Sequence, residues 1–185
     1  PVVSGKVTAA LVNGIQSNGV GATLKHFAFN NQETNRGNNN AKMSDRTARE
    51  IYLKGFEIAV KESNPWAIMT SYNRINDVHT AESYPLLEGI LRGEWKFEGA
   101  VMTDWGGGKD AVAMVKAGND LLMPGNAKQR LAIIDAVNNG TLDIADVDRN
   151  VKRILQLVEK SPKFYGYQPT NTPDMKAHAE IARQS

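Results

Sequence analysis

Cysteine is absent from all 185 residues, which removes disulfide frameworks, thiolate metal sites and cysteine nucleophiles at once. The same absence leaves the compartment open, because oxidising and reducing environments both accept a cysteine-free chain. Long apolar runs are missing too. No stretch approaches the roughly 20 residues that cross a bilayer, so no membrane association is expected. An excess of either charge is equally lacking: 22 Lys and Arg against 20 Asp and Glu leave a net +2. That is too little to hold a nucleic acid backbone or an anionic lipid surface. His-Glu-x-x-His, calcium-loop and dinucleotide fingerprints do not occur, so neither a metal nor a cofactor is expected. The run Gly106-Gly-Gly-Lys-Asp110 lacks the leading spaced glycine and the Ser/Thr after lysine that a phosphate loop needs.

What remains is an ordinary globular composition, 41% hydrophobic and 23% charged, at a length that fits one domain with a substantial core. Val3, Val7, Leu11 and Ile15 recur at helical spacing, with Asn18-Gly19 as a stop. A strand is predicted in "VGATLKHFAF", followed by the polar loop "NNQETNRGNNNAKM". Ser44 or Asp45 caps a predicted helix whose stripe is Ala48, Ile51, Tyr52, Phe56 and Ala59. Asn64-Pro65 breaks that helix before a second strand, "WAIMTSYN". Ser83 and Pro85 open a helix with Leu86, Leu87, Ile90 and Leu91 inward. "GAVMT" reads as a third strand, "KDAVAMVKAG" as a short helix and "NDLLMPG" as a fourth strand. Helices over "AKQRLAIIDAVNN" and "ADVDRNVKRILQLVEK" follow, then a Pro/Asn/Thr-rich linker that turns helical again.

Strand and helix alternating four times predict an α/β fold with parallel strands and crossover helices. An open doubly wound sheet and a (β/α)8 barrel both fit. Either one gathers functional groups at the carboxyl ends of the strands. Those ends carry Lys25-His26, Ser71-Tyr72-Asn73, Asp104-Trp105 and Met123-Pro124-Gly125. Asp104 has two readings: a cap on the helix after the glycines, or a nucleophile or general base beside Lys25, His26 and Arg36, since nearby cations favour an ionised carboxyl. Lys25 and His26, with the amides of Asn30, Asn31 and Gln32, are suited to binding hydroxyls. Trp105 is either the wall of such a pocket or core, and Tyr72 is either a site residue or a satisfied core tyrosine. His79 and His178 receive no role.

"KHFAFNNQETNR", "TSYNRIN" and "VMTDWGG", in this order, resemble the N-terminal barrel domain of glycoside hydrolase family 3, in particular its β-glucosidases. The resemblance runs over nearly the whole chain. It implies that Asp104 is the nucleophile of a retaining, exo-acting hydrolase of terminal β-D-glucosides. Lys25, His26 and Arg36 would hold the sugar, Tyr72 would stand beside the nucleophile, and Trp105 and Met69 would line the pocket. It further implies that residues 1–165 are the C-terminal half of a TIM-type (β/α)8 barrel and 166–185 a linker toward an α/β sandwich domain. The chain opens Pro1-Val2-Val3 without methionine, so its native start is expected elsewhere. On this reading the acid/base glutamate lies outside the chain, and Glu33 anchors backbone or Arg36. The expected partners are a β-linked sugar, the other barrel half and the second domain. An isolated half-barrel would leave two unpaired strand edges, open to self-association. Two rivals are a catalytically incompetent half-barrel and a sugar-binding module that turns nothing over.

Overall fold

A computed structural model of the chain describes residues 1–184. Its strands, in chain order, are β1 (Thr23–Phe27), β2 (Asn40–Ala41), β3 (Ala67–Thr70), β4 (Arg74–Ile75), β5 (Val78–His79) and β6 (Ala100–Met102). β1, β3 and β6 form a parallel sheet in that order, as the alternating pattern predicts. Leu24, Ile68 and Val101 share a register row, and all are buried in the main core. Pleat alternation puts Ala67 with Ala100, and Met69 with Met102, on the opposite face.

The fourth predicted strand, "NDLLMPG", is corrected. Only Leu121 bridges to Met102, in parallel sense. Three residues on, Pro124 has no N–H to extend a ladder, and Gly125 turns at φ +74°. Counting that bridge, the described residues hold four parallel strand positions, half of what a (β/α)8 barrel closes with. The Asn-rich loop contributes β2, which pairs with β4, and β4 continues into a hairpin with β5.

The helices are α1 (Val2–Gln16), α2 (Asp45–Thr47), a π-helical segment (Ala48–Tyr52) and α3 (Lys54–Ser63). A second π-helix (Pro85–Glu94) precedes α4 (Ala111–Lys116), α5 (Ala127–Asn138), α6 (Ile144–Lys160) and α7 (Met175–Gln184). Of the two candidate caps on the second helical run, Ser44 is the one used, accepting from the Thr47 N–H. Most of the predicted stripe packs inward, but Ile51 is exposed.

In α1 the expected apolar row faces outward: Val3, Val7, Leu11 and Ile15 are all exposed. Gly5, Ala9 and Val12 are buried instead, on the side that packs on α3. The reason is close approach. A Cβ on Gly5 would stand 2.8 Å from Ile58 Cβ and 2.9 Å from the Gly55 carbonyl. Small residues therefore decide which face docks.

Phe27 anchors the main core, edge-on to Phe56 at 5.1 Å and to Trp95 at 5.9 Å between ring centroids. Such pairs add about 0.5–1.5 kcal/mol beyond their buried area. A buried ionic cluster ties β6 to the π-helix 85–94 and α6. Asp120 Oδ2 accepts from Arg92 Nη2 and from the Val101 N–H, each at 2.7 Å, while Arg153 Nη1 reaches Glu88 Oε1 at 2.8 Å. Burial pulls the Arg92 guanidinium down to about 10, with Asp120 acting in the opposite direction.

Candidate functional site

The end of β6 explains how Asp104 is presented. Thr103 is buried, and its hydroxyl accepts the Met123 N–H at 2.8 Å while its own N–H donates to the Leu121 carbonyl. This zips the strand end to the following segment just before the carboxylate. Asp104 does not cap α4. Asp110 fills that role, its carboxylate accepting the N–H groups of Val112 and Ala113. Asp104 Oδ1 instead accepts the Trp105 N–H at 2.7 Å, and Oδ2 lies 3.2 Å from His26 Nε2.

A register shift brings His26 to that position. Leu24 pairs with Ile68 and Phe27 with Thr70, so β1 carries one residue more than β3 between those pairs. Lys25 and His26 sit in this bulge, a device that re-aims side chains beside functional sites. A strict period of two, the only strand pattern a sequence shows, does not reveal it.

From the next strand end, the Tyr72 hydroxyl donates to the Trp105 carbonyl at 2.9 Å and stands beside the Asp104 carboxylate. Burial, and then Asp104, push the Tyr72 phenol above its ordinary range, and Arg36 pulls the other way. The Arg36 guanidinium lies 4.7 Å from the Tyr72 ring centroid, a cation–π contact. Glu33 holds Arg36 in place: its Oε2 accepts from Arg36 Nη1 at 2.8 Å and its Oε1 from Asn30 Nδ2 at 3.1 Å. Trp105 is 66% exposed, so it is not core and its indole is free to serve as a wall.

These contacts bring together Asp104, His26, Tyr72, Arg36 and Trp105. Two predicted residues stand apart from the contact network. Lys25 is exposed and borders a cavity of about 440 Å³ at the open edge of β1, with Pro1, Tyr52 and Phe56. Met69 is half-buried on β3, level with Met102. A cavity of about 580 Å³ between α5, α6 and the 121–126 segment contains none of the seven predicted residues. His79 Nδ1 is 3.2 Å from the Tyr72 carbonyl, a contact made across the β4–β5 hairpin.

Sequence reasoning missed the groups that support this cluster. Thr80 Oγ1 bonds the backbone of Ser71, and the Ser71 hydroxyl donates to the Ala28 carbonyl at 2.8 Å. Glu82 accepts the backbone N–H groups of Lys109 and Asp110 beyond the glycines. The pair Thr103-Asp104 is the sequence trace of these contacts; Glu82 stands far from the glycine run in the chain and leaves none. Among the described residues no group of three or more His, Cys, Asp or Glu is placed to hold a metal ion.

Residues 1–157 match the glycosyl hydrolase family 3 N-terminal domain. Over its full length the chain is 43% identical to an exo-α-(1→6)-L-arabinopyranosidase of Bifidobacterium longum, covering 24% of that protein. Over 86% of its length it is 44% identical to β-glucosidase B of Emericella nidulans, covering 19% of it. The structure of β-glucosidase 3B from Thermotoga neapolitana in complex with glucose superposes on the whole chain with a TM-score of 0.93 at 45% identity, and 27% of that chain is covered. The chain thus spans about a quarter or less of these relatives' length.

Proposed function

We propose, because this chain belongs to glycosyl hydrolase family 3, that its strand-end cluster is the nucleophilic and sugar-binding part of a retaining, exo-acting glycosidase site. The observation that carries the reading is the 3.2 Å approach of His26 Nε2 to Asp104 Oδ2, with the Tyr72 phenol and the Trp105 N–H against the same carboxylate. The cluster sits at the carboxyl ends of parallel strands, where barrel enzymes hold their chemistry.

In this reading the Asp104 carboxylate attacks the anomeric carbon of a terminal sugar. The glycosidic C–O bond breaks as the leaving oxygen takes a proton from a general acid, and an ester joins sugar to Asp104. Water, deprotonated by the same group, then cleaves the ester and regenerates the carboxylate. His26, Lys25 and Arg36 donate to sugar hydroxyls, Trp105 and Met69 supply apolar contact, and the Tyr72 phenol stays protonated beside the nucleophile. Glu33 is engaged with Arg36 and Asn30, so we place the acid/base outside this chain. No cofactor takes part.

We assign residues 1–165 to half of a (β/α)8 barrel and 166–185 to a linker. In support, α7 (Met175–Gln184) buries none of its residues. The partners are then a β-linked sugar and the further parts of the parent protein, and an isolated chain would self-associate through its open strand edges. The substrate proposed is a terminal β-D-glucosyl residue. The arabinopyranosidase relative favours a second reading, a terminal α-L-arabinopyranosyl residue, whose anomeric oxygen is likewise equatorial.

The test is treatment of the full-length parent enzyme with a 2-deoxy-2-fluoro β-glucoside, followed by peptide mass spectrometry. A glycosyl adduct on Asp104, and its absence in Asp104→Asn with a fall in activity of about 10³-fold or more, is expected. An adduct on another residue, or wild-type activity in Asp104→Asn, refutes the assignment. Turnover of nitrophenyl β-D-glucoside against nitrophenyl α-L-arabinopyranoside decides between the two sugars.

A further inference from the structure

We infer that Glu82 is a positioning residue for the loop that carries Asp104 and Trp105, an inference that rests on the catalytic reading of Asp104. The loop is intrinsically loose. Gly106, Gly107 and Gly108 follow Trp105 directly, and Gly106 and Gly108 both hold φ +75°, where only glycine rests without strain. A free glycine run has many conformations to lose, so something outside it must fix where it goes.

Three groups from beyond the loop hold its backbone among the described residues. The Tyr72 hydroxyl takes the Trp105 carbonyl, and the Met123 carbonyl takes the Gly106 N–H at 2.7 Å. Past the glycines, a single oxygen, Glu82 Oε1, accepts the N–H groups of both Lys109 and Asp110, the latter at 3.0 Å. The loop is therefore held at its start by Tyr72 and Met123 and at its end by Glu82.

Glu82 is itself on a firm base. It ends the turn Thr80–Glu82, in which Thr80 and Ala81 are fully buried. Thr80 Oγ1 donates to the Ser71 carbonyl at 2.6 Å and accepts the Ser71 N–H at 3.1 Å, which locks the turn to the end of β3. The Ala81 carbonyl accepts from Asn119 Nδ2, and the Asn119 carbonyl accepts from Asn150 Nδ2 at 3.0 Å on α6. The turn thus refers the loop to the same strand end that presents Tyr72. Inside the loop, the Gly107 N–H returns to the Asp104 carbonyl at 2.9 Å. Displacement at Lys109 is therefore passed back to Asp104, and with it the bond from the Trp105 N–H to Asp104 Oδ1.

The role asks for an acceptor at one place rather than for a negative charge, and this sets the experiment. Glu82→Gln keeps a carbonyl oxygen at the position of Oε1. Glu82→Asp keeps the charge but withdraws the acceptor by one methylene, and Glu82→Ala removes it. In the full-length parent enzyme, each variant is inactivated with a 2-deoxy-2-fluoro β-glucoside. The maximal inactivation rate constant and the inactivator's dissociation constant are measured separately, beside the unfolding midpoint.

Glu82→Gln is expected to react close to the wild-type rate. Glu82→Asp and Glu82→Ala are expected to fall by about 10²-fold in maximal rate, the scale of an ångström-sized misplacement, with a smaller change in dissociation constant. If Glu82→Ala fails to fold, the ordering of Gln above Asp decides alone. Equal rates in all variants overturn the inference, as does Asp matching wild type while Gln falls. A wild-type enzyme labelled away from Asp104 fails differently, because it removes the catalytic reading before any Glu82 variant is compared.

Discussion

Replacing Asp120 by alanine removes a carboxylate whose side chain is fully shielded from solvent and which stands 2.7 Å from Arg92 Nη2 and 3.4 Å from Arg153 Nη1. Three groups lose a contact, of which Arg153 keeps its 2.8 Å bond to Glu88. The Val101 N–H, in the centre of β6, loses its 2.7 Å bond to Asp120 Oδ2. The Arg92 guanidinium, whose side chain is only 7% exposed, loses its closest countercharge, and its Nε already has no hydrogen-bond partner. Breaking one side of a buried pair costs about 3–5 kcal/mol, and an orphaned buried N–H about 1–3 kcal/mol. Arg92 keeps its bonds to the Phe97 and Gly99 carbonyls at 3.2 and 3.0 Å, and Glu88 Oε1 remains 3.6 Å from its Nε. That compensation brings the expected sum to about 3–5 kcal/mol. Hydrogen exchange read by mass spectrometry on peptides covering Gly99–Thr103 of the full-length enzyme measures it locally. Protection should fall by about 10²–10⁴-fold, since 1.4 kcal/mol is a factor of ten. Asp120→Asn, which keeps an acceptor for Val101, should lose less. The combined Arg92→Met, Asp120→Leu variant should recover part of the loss, because it strands no charge. A loss under about 1 kcal/mol in Asp120→Ala would refute the reasoning, because it would mean that Arg92 is solvated without its partner.

Two further outcomes follow from the geometry. The Tyr72 phenol is raised by burial and by Asp104, so its protonated form is favoured in the folded state. Its contribution to stability is complete below the ordinary tyrosine value of 10.0 and is lost as pH rises through its higher folded value. Tyr72→Phe should therefore delete the late part of the 295 nm ionisation curve and flatten the alkaline limb of stability, whereas an unchanged curve would contradict the placement. At the α1–α3 contact, Gly5→Leu should destabilise by about 1–3 kcal/mol through overpacking against Ile58. The readout is the unfolding midpoint of the full-length enzyme, and a neutral result would mean that the two helices separate freely.

The parallel α/β pattern was legible because burial on both faces leaves continuous apolar runs such as "AIM" and "AVM" in β3 and β6. The helix starts were legible where a capping oxygen was present, as at Ser44. The orientation of α1 was not: its strongest apolar periodicity lies on the exposed face, and the docking face is written in Gly5 and Ala9, which carry little hydrophobic signal. "NDLLMPG" looked like a strand because apolar runs do not announce how much of their length a neighbour will pair. At the site, Asp104, His26, Tyr72, Arg36 and Trp105 were nominated from strand ends and motif order. Their support by Thr103, Thr80 and Glu82 stayed hidden, because buried hydroxyls and carboxylates that bond backbone have no fixed spacing from the groups they hold.

The extra residue in β1 makes chain length itself part of the binding surface. Deleting either Lys25 or His26 would leave one residue between Leu24 and Phe27, matching the one residue between Ile68 and Thr70, and so allow an unbroken ladder with β3. The shortened chain would present one imidazole or one ammonium where both groups now stand. Counting the residues between the buried Leu24 and Phe27 is therefore a sharper test of a kindred site than comparing the identities of the residues between them.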